Sequence, residues 1–384
     1  MDNRQEPDSM YTISRRSFFK AAAGMAAGAV FMGIPEISLA KNVEYKRIPL
    51  ADCPADPLVT AKASALVCAA YETVISTVGK ISDAQLRSKV QTIIENPAPT
   101  LMEQYKSERS IVLVYSRLAS MGLIDTNKLS DKQLFPRYKD SQKAPQPFIS
   151  APGSGYGSHH AYPGGLSTHT ATNLLSVCGL LGIYRKNYGY DISNDVVIAS
   201  EALHDLHKPW VFQWEEDGSC LLEMTIAGTG SHHILSLAES MYRGLPADVI
   251  VAQACAHNHP GTPKDEADVV GWIKAAAVIA GKDPVKEEFL AKDGDHVPLP
   301  QRQEGFITHL GDHDWILSVP AAQNGVLALK ELAKEVYGMS DKDLSGLPFN
   351  KFRNYAASQI SFMRIHSMLN RPQDLKALVK SVIE

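Results

Sequence analysis

Apolar residues along this chain recur mostly at three- and four-residue steps, the spacing that puts side chains on one face of a helix. Ala63, Leu66, Val67, Ala70, Val74 and Ile75 follow it, as do Ile111, Val114, Leu118 and Met121, and they predict helices across residues 61–122. Residues 124–158 are polar and rich in Pro, Gly and Ser, which predicts a connector. From 159 to about 281 the helical pattern returns. One helix opens at Thr168-His169-Thr170 and carries Leu174, Val177, Cys178 and Leu181 inward; a second runs Asp195–His207. A third opens at His232 and His233, where His233, Leu237 and Met241 share a face. In a fourth, Asp248–Ala256, Ile250, Ala254 and His257 align before Pro260-Gly261 stops it and leaves His259 outside. Residues 282–305 form a second break, and helices resume from Trp315, including Ala321–Tyr337 and Arg353–Leu369. Strand-like alternation is scarce and no internal repeat is present, so the predicted class is mainly α, a helical bundle with flanking helical regions.

The first forty residues read as an address. Ser14-Arg15-Arg16-Ser17-Phe18-Phe19-Lys20 resembles the twin-arginine export motif, followed by a small-residue apolar run from Ala21 to Ile34 and a small-x-small exit at Ile37-Ser38-Leu39-Ala40. The expectation is a twin-arginine (Tat) signal peptide over 1–40, recognition by the Tat machinery, and a periplasmic product. The run is too short and too rich in Gly and Ala for a stable membrane span. A formal net charge of −4 lacks the basic excess that a nucleic-acid duplex demands of its partner. Five cysteines without close pairing exclude a zinc ribbon or a dense disulfide framework.

The chemistry is signalled by histidine placement. Nine of the thirteen histidines lie between residues 159 and 259. A lone inward histidine is more often a core residue bonded to a backbone carbonyl. Here His204-Asp205 sits near the end of an apolar helical pattern, with His169 thirty-five residues earlier and two further inward-facing histidines later. Imidazoles and carboxylates converging from several helices are how a bundle builds a metal site in its core.

The wording of these segments resembles the HD superfamily of metal-dependent phosphohydrolases. His159-His160-Ala161-Tyr162-Pro163-Gly164-Gly165-Leu166-Ser167-Thr168-His169-Thr170 is similar to the opening of an HD domain, and Ala202-Leu203-His204-Asp205-Leu206-His207-Lys208 to its His-Asp motif. Ser231-His232-His233-Ile234 and Ala256-His257-Asn258-His259-Pro260-Gly261 are similar to the extra histidine elements of two-metal members, nearest to the 3′–5′ exoribonuclease branch. The resemblance implies His169, His204 and Asp205 as metal ligands. It implies one of His232 and His233, preferably His233, and one of His257 and His259, preferably His257, at a second metal. Asp205, Lys208 and His160 would carry the catalytic roles, with Lys208 beside the substrate phosphate. There are two departures. The family's last ligand is an Asp on a later helix, but the matching stretch Trp272–Ala280 offers Lys274 and alanines, leaving Asp283, Asp312 and Asp314 as replacements or the site altered. His207 stands where a glycine is usual, and would crowd the pocket or add a ligand.

The resemblance implies domains at 1–40 (signal peptide), 41–150 (helical region and connector), 151–285 (HD domain) and 286–384 (C-terminal helical region). The cofactors expected are divalent ions, with a His-rich shell favouring Mn, Fe, Co or Zn over Mg. The leading expectation is hydrolysis of a small phosphomonoester or phosphodiester by metal-activated water. Two alternatives stand beside it: a di-iron oxygenase on the same scaffold, and a non-catalytic binding protein with a degenerate site.

Overall fold

Side-chain caps and prolines set many of the helix starts in the computed structural model, which describes residues 45–299 and 302–384; the twin-arginine segment lies outside them. After α1 (Pro57–Lys62), Ser64 caps α2 (Ala65–Val78) by accepting from the Val67 amide at 3.1 Å. Asp83 does the same for α3 (Ala84–Glu95), and Ser107 for α4 (Glu108–Ser120). The helices predicted across 61–122 are therefore present. The connector over 124–158 holds only short 3₁₀ turns.

The central helix is α5 (Gly165–Tyr188), flanked by α2, by α6 (Asn194–Leu203) and by α11 (Arg302–Gly311). Behind them α8 (Ser231–Tyr242) packs on α10 (Pro263–Ala280), and α9 (Ala247–Ala254) lies against α6 and α11. The strands among the described residues are a two-residue antiparallel pair, Thr225–Ile226 with Thr229–Gly230. The fold is mainly α, as its periodicity predicts. Among the described residues, no helix is long and apolar enough to cross a membrane.

One large apolar core joins α2–α6 with α8–α10, including fully buried Leu174, Leu203, Leu237 and Ile273. Each such side chain contributes about 1.5–3 kcal/mol relative to exposure. A second core lies under α12 (Trp315–Glu335), α13 (Leu347–Ile360), α14 (Phe362–His366) and α15 (Pro372–Val382). Residues 45–53 close it: Ile48 pairs with Ile383, and the Leu50 amide donates to the Glu384 carbonyl at 3.0 Å.

Three expectations need correction. The helix read as Asp195–His207 ends at Leu203, and α7 (Lys208–Val211) restarts after a turn. Pro209 has no N–H to continue the first helix and suits the start of the next. The helix read as Arg353–Leu369 breaks at Ser361, where φ is +70°. And α11 occupies residues 302–311, partly inside the predicted break, before the helix expected from Trp315.

Candidate metal centre

A tight backbone knot positions the first histidines. The His160 carbonyl accepts from the Gly153 amide at 2.9 Å and lies against Gly165, where an added Cβ would sit 1.7 Å from it. Gly164, at φ +91°, would drive a Cβ into Val67. Only glycine tolerates that conformation and that approach together, which is why the Gly-Gly pair precedes α5. Ser358 on α13 donates to the Pro163 carbonyl, and Ser64 donates to the Ser358 carbonyl at 2.6 Å, bracing the segment from behind.

His169, on the second turn of α5, meets the turn after α6. Its Nε2 lies 3.1 Å from Asp205 Oδ2 and 3.1 Å from Asp312 Oδ1. His204 Nε2 is 3.0 Å from Asp205 Oδ2 and 3.4 Å from Asp312 Oδ1. His232 Nε2 approaches Asp205 Oδ1 at 3.3 Å, and His257 Nε2 lies 3.5 Å from Asp312 Oδ2. At the outer side, Asp314 reaches His160 Nε2 at 2.8 Å and His169 Nδ1 at 3.4 Å. Three triads, His160/His169/Asp314, His169/His204/Asp312 and His204/Asp205/His257, each bring ligand atoms within 4.8 Å of one another. These buried groups could hold a metal ion.

The donor set supports that statement independently. A backbone carbonyl can only accept, so the 2.7 Å contact between His204 Nδ1 and the Glu201 carbonyl puts the proton on Nδ1. Nε2 then faces two carboxylates, and in a neutral ring its lone pair would meet them acceptor against acceptor, a mismatch that a second proton or a cation relieves. His232 is built the same way: Nδ1 bonds the Glu223 carboxylate, and Nε2 points at Asp205. A histidine oriented through its far nitrogen by a carboxylate or carbonyl is the usual support of a metal ligand.

Charge balance points the same way. Burial resists a proton on His169, but Asp205, Asp312 and Asp314 outweigh it and push the group up to about 10. His204 is raised well above its ordinary value for the same reason, against its burial. Burial favours neutral carboxyls, yet His204 and its neighbours hold Asp205 and Asp312 well below the carboxylate range. The carboxylates thus demand positive charge at this point, which protons or a cation supply.

The remaining sequence candidates fall as follows. His232, not His233, reaches Asp205. His233 donates from Nε2 to the Ala254 carbonyl at 3.2 Å and stacks on His257, and burial pulls it down to about 3. His257 joins the cluster from just beyond the end of α9; His259 does not, and packs against His309 and Phe306. Lys208 is buried, with Nζ 2.5 Å from Asp205 Oδ2 and bonded to the Gly153 carbonyl, so its charge is already engaged. Of the candidate acids, Asp312 and Asp314 are at the centre, while Asp283 caps a turn through the Val285 and Lys286 amides. Lys274 pairs with Asp295 away from the cluster. His207 neither crowds the centre nor joins it: its Nε2 faces Glu239 at 3.5 Å and its ring packs on Trp210.

Sequence reasoning missed three supports. Asn173 donates to Asp312 Oδ1 at 3.0 Å and was legible as the residue one turn after His169. Glu223 and the Glu201 carbonyl had no such signal.

Fold and cluster together define a helical protein with a buried His/Asp centre able to take a cation. No family model and no solved structure matches the chain. The chain is similar to the dihydroneopterin 2′,3′-cyclic phosphate phosphodiesterase of Methanocaldococcus jannaschii, with 26% identity over 208 residues, covering 53% of this chain and 68% of that protein.

Proposed function

We propose that this protein is an HD-type, metal-dependent hydrolase of phosphodiesters, with a small cyclic or linear organic phosphodiester as substrate. The observation that carries it is the buried convergence of His169, His204, Asp205 and Asp312, with imidazole Nε2 atoms 3.0–3.4 Å from carboxylate oxygens. The likeness to a cyclic-phosphate phosphodiesterase supplies the reaction class.

In this reading His169, His204, Asp205 and Asp312 would hold one divalent cation, and His232 and His257 would help to hold a second. Bound cations, Mn, Fe, Co or Zn for such a shell, lower the pKa of water toward neutrality and neutralise charge on the phosphoryl oxygens. Hydrolysis adds water to phosphorus, breaks one P–O ester bond and returns a proton to the leaving oxygen. Asp205 is the carboxylate shared between both groups of histidines. Lys208 ties it to the Gly153 carbonyl and offsets part of its charge. Glu223, the Glu201 carbonyl and Asn173 fix the imidazoles and Asp312. His160, held by Asp314 at 2.8 Å, adds a donor at the outer edge. In this reading Asp312 stands in for the absent helical Asp, which weighs against the non-catalytic alternative.

In this reading the unit that carries the centre would run past 285, since Asp312 and Asp314 follow α11. Export by the twin-arginine route, from Arg15-Arg16, to the periplasm belongs to the same proposal.

The test is Asp205→Asn, which keeps the side chain's size and removes its charge. Metal content by elemental analysis and hydrolysis of dihydroneopterin 2′,3′-cyclic phosphate and bis(4-nitrophenyl) phosphate are measured on both proteins. The variant is expected to lose bound metal and at least about 100-fold in rate, the scale of damage to metal-site support or more. Equal metal content in the two proteins removes Asp205 from the centre. Hydrolysis that stops without O₂ transfers the case to the oxygenase alternative.

A further inference from the structure

A second charged group lies buried away from the metal centre without a paired carboxylate among the described residues. Arg353, on α13, is 2% exposed. Its guanidinium lies over the Tyr156 ring at 3.9 Å and beside the Phe362 ring at 5.1 Å. Nη1 donates to Asn354 Oδ1 and Nη2 to the Tyr156 carbonyl, both at 2.8 Å. These are neutral acceptors, and Arg353 makes no ion pair among the described residues. The ionisable side chains against it stay neutral: burial pushes the Cys220 thiol up to about 12 and raises the Tyr156 phenol. A buried unpaired charge is costly unless a counter-ion reaches it.

Arg353 lines a cavity of about 560 Å³ between α12, α13 and the loops at 156–157 and 217–219. Lys330 stands at the same cavity with its ammonium 5.7 Å from the centre of the Phe349 ring, and it too forms no ion pair among the described residues. The one carboxylate on the wall, Asp217, already accepts from the Ser219 amide and hydroxyl at 2.9 and 2.6 Å. The rest of the lining combines Tyr156, Val326, Leu327, Leu344 and Phe349 with the uncharged polar side chains of Gln323 and Asn350. None of His169, His204, Asp205 or Asp312 lines it.

We infer that this cavity is a second, metal-independent binding site for a small organic anion, with its phosphate or carboxylate head on Arg353 and Lys330 and a flat apolar body against Phe349 and Leu327. A guanidinium fork suits either oxyanion. The cavity size is that of a small-molecule site, with a few polar groups set in apolar walls. Because Arg353 also holds the Tyr156 carbonyl, four residues before His160, the ligand would rest on the back of the loop that leads into the metal centre.

The test uses phenyl phosphate, benzoate and inorganic phosphate as probes, by calorimetry and melting curves, on the metal-loaded protein and again after chelation. Phenyl phosphate or benzoate is expected to bind in both states, more tightly than inorganic phosphate, and the better of the two identifies the head group. Lys330→Glu, an exposed change, should weaken binding by about tenfold, the value of one charge-assisted contact, with metal content and hydrolysis unchanged. Arg353→Met keeps the stem against Tyr156 and should abolish the probe-induced rise in melting temperature. If Arg353→Met fails to fold, Lys330→Glu and Leu327→Asp decide alone. Binding that disappears on chelation, or shifts that are equal in wild type and variants, overturns the assignment and returns the anion to the metal centre or to general salt effects.

Discussion

Asp312→Asn is the sharpest test of the centre, because this residue supplies the carboxylate that the expected helix lacks. The substitution keeps an amide oxygen for Asn173 but removes the charge that faces His169, His204 and His257 at 3.1, 3.4 and 3.5 Å. Suppose free cation is held at a hundred times the wild-type Kd; linkage then adds about 2.7 kcal/mol to the folded state. Losing a carboxylate ligand weakens affinity by at least about 100-fold. The same cation concentration then adds only RT ln 2, about 0.4 kcal/mol. The lost 2.3 kcal/mol or so, against an unfolding entropy of about 0.7 kcal/mol/K for a unit of this length, is a melting shift of about 3 °C. The assay is a pair of melting curves for each protein, with Mn²⁺ and with chelator. Wild type should fall by about 4 °C on chelation and Asp312→Asn by less than about 1 °C. Asp283→Asn, which alters only a turn cap, should behave as wild type. A chelation shift in Asp312→Asn as large as in wild type would refute the ligand role, and its contacts would then be ion pairs with protonated histidines.

Other outcomes follow from particular residues. Gly165→Ala forces a Cβ into the His160 carbonyl and should cost about 3 kcal/mol in urea unfolding, the upper range of overpacking; a neutral result means the knot is loose. Glu239, fully buried, accepts from the Thr100 and Leu101 amides and pairs with Arg243 at 2.6 Å. Burial opposes its charge, but His207, Arg243 and Thr100 outweigh it and hold the carboxyl at about 2. A depressed folded value means stability that is present above the unfolded value of about 4.5 and lost as pH falls toward 2. Glu239→Gln in chelator should therefore be less stable by on the order of 3 kcal/mol at pH 7, with the gap closing below pH 4.5; a gap independent of pH refutes this. Replacing Arg15 and Arg16 by Lys should leave the precursor in the cytoplasm, checked by fractionation; normal periplasmic recovery disproves the export proposal.

The helical class was legible because most helices keep an apolar stripe, as α4 does with buried Val114 and Leu118. His169, His204 and Asp205 were legible as a motif whose spacing brings two elements together. That His232 rather than His233 reaches Asp205 was not legible, for a physical reason. On α8 every residue from Ser231 to Met241 is buried, so a stripe through His233, Leu237 and Met241 does not say which side faces the metal cluster. Asp312 was one candidate among three because α11 is a ten-residue helix at the edge of a proline-rich break, too short to announce its register. The turn that presents His204 and Asp205 depends on Pro209, which lay inside an otherwise persuasive helical pattern.

The brace behind the Gly-Gly knot has a consequence for biosynthesis. The segment from 151 to 164 is held in place by Ser358 and Arg353, about two hundred residues downstream, and the His/Asp cluster includes Asp312. A ribosome that has released His204 and Asp205 has not yet made the acid that completes their cluster or the helix that steadies its roof. Contacts so distant in sequence form late. A cation of the proposed kind would therefore meet its full set of ligands only late in synthesis, and a nascent polypeptide stalled before Asp312 would offer the cell incompletely paired imidazoles.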